Sequence, residues 1–326
     1  MQILKVVKKV PGGLMIIPLL LGALMNTLFP QVLAIGGFTT AMFKTGAAAI
    51  LGCFLFANGA QINIKQAGSP LIKGTVLTVV KFAVGAGIGL LVNMIWGSTG
   101  FLMLSPLVLI AAITNSNGGL YSALAAQYGD VTDVGAVSVL SINDGPFLTM
   151  VALGVSGIAH IPFMALVATI APIILGFILG NLDERIREFL APAVLILIPF
   201  FAFPLGAALN FGQLITAGLP GILLGVICTV TTGFAGYYTL KLMKTDHPVV
   251  GAAIGTTAGN AVATPAALLL IGATTKVISD TATAQLAAAI IVTAILCPLL
   301  VDYLNRRNLN NKLAEQKIST ANSGAN

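Results

Sequence analysis

The sequence TNSNGGLY, residues 114–121, interrupts an apolar run that extends from about residue 104 to residue 128. Thr114, Asn115, Ser116 and Asn117, then Gly118 and Gly119, stand where a membrane helix favours Leu or Ala. Relative to alanine these six residues cost a continuous helix roughly 3–5 kcal/mol. The Gly-Gly pair also frees the backbone to leave helical geometry. In lipid, the N–H and C=O groups so released are tolerated only inside protein or against a wet cavity. The stretch is therefore expected to break a transmembrane helix and to form a binding site near mid-membrane. The competing reading is a short polar loop between two ordinary elements.

The surrounding chain supports a membrane setting. Of its 326 residues 57% are hydrophobic and 8% charged, with a mean hydropathy of +1.00. Soluble domains carry about 25% charged residues, and this length fits about ten spans joined by short loops. Cys53, Cys228 and Cys297 are scattered singly in apolar stretches and read as small hydrophobes. The formal charge of +6 is spread among loops, so no nucleic-acid partner is expected. Lys5, Lys8 and Lys9 precede an apolar run as in a signal peptide. No small-residue cleavage site follows, and the run reads as a retained first helix. His160 and His247 fall in loops without a metal cluster. There is no phosphate loop, no Ser/His/Asp set and no catalytic carboxylate pair, so neither an enzyme nor a cofactor is expected.

The expected fold is all-α and integral to the membrane. Ten spans lie near residues 11–29, 45–62, 74–96, 104–128, 131–157, 162–182, 190–209, 216–243, 249–273 and 281–304. A polar cytoplasmic tail, 306–326, is expected to be frayed or disordered. With the N-terminus inside, 13 Lys and Arg residues fall in inner segments and two, Lys44 and Lys276, in outer ones, with Lys81 inside the third span. This bias predicts an even span count with both termini cytoplasmic.

The two halves resemble each other. FLFANGAQINIKQ, residues 54–66, and FAFPLGAALNFGQ, residues 201–213, match at six of thirteen positions, and PLLLG at 18–22 echoes PIILG at 172–176. Five spans per copy require opposite orientations across the bilayer, so residues 1–157 and 158–305 are expected to form two inverted repeats. Such repeats with broken helices at corresponding positions point to a secondary transporter. The second break is Thr256, Thr257, Ala258, Gly259 and Asn260, continuing to Thr264 and Pro265 in the ninth span. Crossed discontinuous helices 4 and 9 would aim half-helix N-termini at a shared centre suited to an anion. The Asn, Ser and Thr side chains would recognise hydroxyls, so the expected ligand is a small polyhydroxy anion.

Asp144 is the clear intramembrane acid and a functional candidate by default. It is either a proton carrier, with its neighbour Asn143, or a cap on a kink at Gly145 and Pro146. Lys81 either snorkels to the interface or pairs with Asp144. Tyr121 is either a substrate partner or a packed aromatic. Asn58, Gln61 and Gln213 either line the cavity or are interfacial.

PGGLMIIPLLLGAL (11–24), NGGLYSALAAQYG (117–129), GNLDERIREF (180–189), PFFAF (199–203) and AVATP (261–265) resemble the 2-keto-3-deoxygluconate permease family over nearly the whole chain. The resemblance implies proton-coupled uptake of that sugar acid across a bacterial inner membrane. It also implies the fold of the bile-acid/arsenite/riboflavin transporter group. There a panel (spans 1, 2, 6 and 7) packs against a core (spans 3–5 and 8–10). The family pattern has an acid where this chain has Thr114 and another at the position of Asn143, whereas here the acid is Asp144.

The leading expectation is thus a proton symporter for a sugar-acid monoanion working by alternating access. Asn115, Ser116, Asn117, Thr256, Thr257 and Asn260 would hold the substrate. A sodium-coupled carrier of a related organic anion and a non-transporting sugar-acid sensor are the alternatives. A homodimer is compatible with the sequence.

Overall fold

A computed structural model describes residues 2–9, 13–63, 68–143, 145–208, 215 and 218–323. Lys65, Gln66, Asp144, Asn210 and Gln213 lie outside the described residues. Among the described residues the chain is helical, and its one extended pairing is an isolated bridge between Phe101 and Leu104.

In chain order the helices are α1 (Ile3–Lys9), α2 (Gly13–Leu28), α3 (Gly37–Phe43), α4 (Ala47–Gln61), α5 (Ser69–Trp96), α6 (Pro106–Thr114) and α7 (Gly118–Tyr128). They continue as α8 (Val131–Gly135), α9 (Val137–Leu140), α10 (Pro146–Val155), α11 (Phe163–Leu182), α12 (Glu184–Gly206), α13 (Gly218–Leu242), α14 (Ala263–Leu270) and α15 (Lys276–Ser323). Short 3-10 turns cover Ser141–Asn143, Pro248–Ile254 and Gly259–Val262. Among the described residues six helices are long and apolar enough to cross a membrane, or up to eight if each bent pair is one span. The bent pairs are α3 with α4, at 61°, and α6 with α7, at 43°.

Two expected spans fall short of a full crossing helix. The first is α2, whose apolar part is Ile17–Leu28. The fifth is divided among α8, α9 and α10, because Gly145 turns at φ 121° and Pro146 opens a new helix.

Two groups of helices organise the molecule. α4 packs on α11 and α12, and α12 packs on α2. In the other group α5 packs on α6 and α13, while α13 packs on α15 and on the turn Pro248–Ile254. Lipid supplies no hydrophobic drive between helices, so close contact at small residues must hold such seams. In the first group the contact is backbone on backbone. A Cβ at Gly22 would collide with Phe203 O and Ala207 N, and one at Gly206 with Leu19 O. Likewise a Cβ at Gly176 would meet Phe56 O and Ala60 N, and one at Gly59 would meet Ile173 O. The α2/α12 and α4/α11 seams therefore repeat the same contacts at residues that the sequence repeat pairs.

Two expectations are corrected. The described part of the tail is helical: α15 runs on to Ser323, since after Pro298 no Pro or Gly occurs before Gly324 to stop it. Lys73 is not a loop lysine. α5 begins at Ser69, and Lys73 is buried within it with its ammonium 2.5 Å from the fully buried Asp133 carboxylate.

Candidate functional site

The polar stretch at 114–117 does break a helix. α6 ends at Thr114, Asn115 is extended (φ −96°, ψ 141°), and Asn117 starts α7 by accepting Leu120 N–H on its side-chain oxygen at 3.0 Å. The break there would leave buried polar groups unmet, and groups from the fifth expected span meet them. Thr114 Oγ1 lies 2.8 Å from both Ile110 O and Thr149 Oγ1. Asn115 Nδ2 donates to Ala111 O at 2.8 Å and Thr149 Oγ1 at 3.0 Å, while its Oδ1 accepts from Gly145 N. Asn143 and Ser116 are doubly joined: Ser116 N donates to Asn143 Oδ1, and Asn143 Nδ2 donates to Ser116 Oγ.

The second break lies against the first. After the turn Pro248–Ile254 the chain passes through Gly255, Thr256, Thr257 and the extended Ala258, then resumes helix at Gly259–Val262 and α14. Asn117 N donates to Thr256 Oγ1 at 3.0 Å, and Thr257 Oγ1 donates to Ala112 O at 3.1 Å. These two bonds make the breaks one connected centre. Thr257 N is met by Thr293 Oγ1 of α15 at 3.1 Å.

What remains open differs from what is tied. Thr114, Asn115, Ser116, Asn143, Thr256 and Thr257 are buried and committed to one another or to backbone. Asn117, Gly118 and Gly259 are half-buried and Gly119 is exposed. Gly118 and Gly119 open α7, so their amides have no intrahelical acceptor. Among the described residues, Asn260 Oδ1 and Thr264 Oγ1 are buried without a hydrogen-bond partner. The turn carrying Asn260 packs on α2 and α12 of the other helix group. Tyr121 is not gathered into this centre: it is fully buried, and its hydroxyl donates to Asp133 O at 3.0 Å.

Other residues were missed or misjudged from sequence. Lys81 does not snorkel. It is 0% exposed, and its ammonium donates to Ile254 O at 2.6 Å and Thr256 O at 2.8 Å, with Thr232 Oγ1 at 3.4 Å. Cys228 is more than a small hydrophobe: its sulfur lies 3.7 Å from Ala112 O, 3.6 Å from Thr256 O and 3.4 Å from Thr257 Oγ1. Gln61 bonds Arg187 O at 3.1 Å and so ties α4 to α12. His247 does not stand apart, since its ring and the Asp130 and Asp133 carboxylates place ligand atoms within 4.8 Å of one another. These acids are already engaged: Asp130 caps α8, and Asp133 closes the capping box while binding Lys73. The Thr132 hydroxyl, then the Asp133 amide, hold the Asp130 carboxyl at about 2, below the usual carboxylate range. The group reads as a helix cap joined to an ion pair.

The two breaks form one buried polar centre, and comparison with known proteins shows the family to which it belongs. The family model described as "KdgT: 2-keto-3-deoxygluconate permease" matches residues 4–310. The chain is 47% identical to 2-keto-3-deoxygluconate permease 1 of Salmonella typhimurium over 97% of this chain and 99% of the relative. It is 40% identical to the 2-keto-3-deoxygluconate permease of Bacillus subtilis, covering 94% of each. Against the protein of that name from Escherichia coli (strain IAI39 / ExPEC) the identity is 39%, over 94% of this chain and 95% of the relative. A multi-pass helical membrane protein with two joined helix breaks, this chain belongs to the 2-keto-3-deoxygluconate permease family.

Proposed function

We propose that the protein is a secondary transporter that imports 2-keto-3-deoxygluconate by proton symport, with alternating access, across a bacterial inner membrane. The names of its relatives support the substrate. One structural observation carries the site: among the described residues Asn260 Oδ1 and Thr264 Oγ1 are buried without partners, and the turn carrying Asn260 packs against the other helix group. Unmet buried oxygens cost free energy unless a ligand supplies the missing bonds. A polyhydroxy acid supplies hydroxyl donors for them, while its carboxylate suits the first-turn amides of α7 at Gly118 and Gly119. Asn117 lies between these two groups in chemistry, capping α7 with one side-chain atom while its amide holds Thr256. Asn115, Ser116, Thr114, Thr256, Thr257 and Gly259 hold the shape of the site.

The same reading takes the fold as ten spans in two inverted repeats, with panel helices α2, α4, α11 and α12 and a core built on the two breaks. The paired glycine seams support it, since residues matched by the sequence repeat make matching contacts. Positive charge bias supports cytoplasmic termini. For the coupling proton the proposed carrier is Asp144; its neighbours Asn143 and Gly145 bond to Ser116 and Asn115 of the first break.

A monoanion moving with one proton carries no net charge, so uptake follows the pH gradient and draws nothing from the membrane potential, which acts at about 2.3 kcal/mol per charge per 100 mV. The test is uptake of labelled 2-keto-3-deoxygluconate into proteoliposomes under a proton gradient, then under a sodium gradient alone. Accumulation is expected with protons only; accumulation needing sodium overturns the symport. Asn260→Ala is expected to raise KM by roughly tenfold, the factor given by about 1.4 kcal/mol for a lost polar contact. Asp144→Asn is expected to flatten the pH profile of uptake, and an unchanged profile removes Asp144 from coupling.

A further inference from the structure

The transport reading leaves one buried cation unexplained. Lys81 lies in the middle of α5, 0% exposed, and among the described residues no carboxylate forms an ion pair with it. Its ammonium meets three neutral oxygens instead: Ile254 O, Thr256 O and Thr232 Oγ1. The facing titratable groups on the packed elements are the thiols Cys228 of α13 and Cys297 of α15. Ile254 closes the turn Pro248–Ile254, so its carbonyl and that of Thr256 belong to the broken end of a helix; besides Lys81, Ile254 O accepts from Thr256 N at 2.7 Å and Thr232 Oγ1 at 3.3 Å, and Thr256 O faces the Cys228 sulfur at 3.6 Å. A helix C-terminal end is the negative pole, and two carbonyls with a hydroxyl form the all-oxygen cluster that hard monovalent cations take.

We infer that the Lys81 ammonium is a tethered cation, filling the carbonyl site at the second break that a free sodium ion would otherwise occupy, and so holding the break in its binding geometry without sodium. The inference rests on the transport reading for its substrate and adds a positioning residue and a latent cation site. The chemistry favours a permanent occupant. Thr256 bears both the carbonyl on Lys81 and the hydroxyl on Asn117 N, so the ammonium reaches the first break through one residue. Remove the charge and those carbonyls keep only the Thr256 amide, the Thr232 hydroxyl and the weakly donating Cys228 thiol in a dry interior, where poorly satisfied carbonyls are costly.

Counterflow tests this without any driving gradient: labelled 2-keto-3-deoxygluconate exchanges across liposomes at equal pH, in choline, then in sodium or ammonium on both sides. Wild-type exchange is expected to be the same in all three. Lys81→Ala is expected to exchange at least roughly tenfold more slowly in choline, equivalent to about 1.4 kcal/mol, and to recover in sodium or ammonium. Lys81→Arg, which keeps the charge, is expected to exchange in choline. A purely structural lysine would not give rescue by a free cation. Wild-type exchange by Lys81→Ala in choline overturns the inference. If Lys81→Ala exchanges in no medium, its thermal melting decides: a rise with sodium or ammonium that wild type lacks supports the cation site, and no rise overturns it. Failure of the wild type to exchange this sugar acid faults the substrate and leaves the melting arm standing.

Discussion

The two helix breaks do the same thing to the backbone and are closed by different chemistry. At the first, Ala112 O is met by the Thr257 hydroxyl and the Cys228 thiol, both uncharged. At the second, Ile254 O and Thr256 O are met by the Lys81 ammonium. When the second half of the sequence is laid on the first in the register that pairs Phe54 with Phe201, Cys228 stands at the position of Lys81. Helices matched by the sequence repeat thus reach the two breaks, one with a neutral donor and one with a charge. The lesson is that a broken helix needs a donor for its freed carbonyls, and the side chain placed there decides whether the centre carries charge. On the proposed function the first break presents amides, and the second presents the oxygens of Asn260 and Thr264.

The comparison can be broken most severely by making the two closures alike. Lys81→Cys copies the first closure onto the second and is expected to abolish proton-driven uptake, with insertion intact by trypsin accessibility and detergent chromatography. Retained uptake would mean the charge is dispensable. A lesser effect is expected from Thr256→Val, which keeps shape but removes the acceptor for Asn117 N–H. A buried donor left unmet costs about 1–3 kcal/mol, which predicts a KM raised by roughly tenfold or more with insertion unchanged; an unaltered KM would show that the two breaks work independently. The smallest change is expected from Cys228→Ala. A thiol is a weak donor and Thr257 Oγ1 still meets Ala112 O, so uptake should fall by no more than about twofold to threefold, below the roughly tenfold step of 1.4 kcal/mol. A larger loss would put the first closure on the same footing as the second.

Sequence made the breaks legible because clustered polar residues and glycines are costly to hold in a continuous helix surrounded by lipid, and both 115–117 and 255–258 do leave α-helical geometry. It made the intimacy of the breaks less legible. Thr149 and Thr293 satisfy groups at 114–115 and 257, yet a threonine in an apolar helix carries no mark of its partner. The fate of Lys81 was hidden for a sharper reason. Its acceptors are backbone carbonyls, freed by the course of the chain and independent of residue type. The same holds for Lys73 and Asp133, which meet only because α8 folds onto α5. Tyr121 stands beside the double glycine in sequence, but one helical turn carries its ring to the Asp133 carbonyl.

The glycine seams carry a genetic consequence. At Gly22, Gly59, Gly176 and Gly206 an added methyl would strike main-chain atoms, which no substitution in the facing helix can shorten. At Gly233 the nearest obstacle is the tip of Leu300, which a smaller side chain would clear. Lesions in the α2/α12 and α4/α11 seams should therefore resist second-site suppressors at neighbouring positions, whereas Gly233→Ala should be suppressed by Leu300→Ala. Reversion by a neighbouring change is thus open at Gly233 and closed at these four glycines.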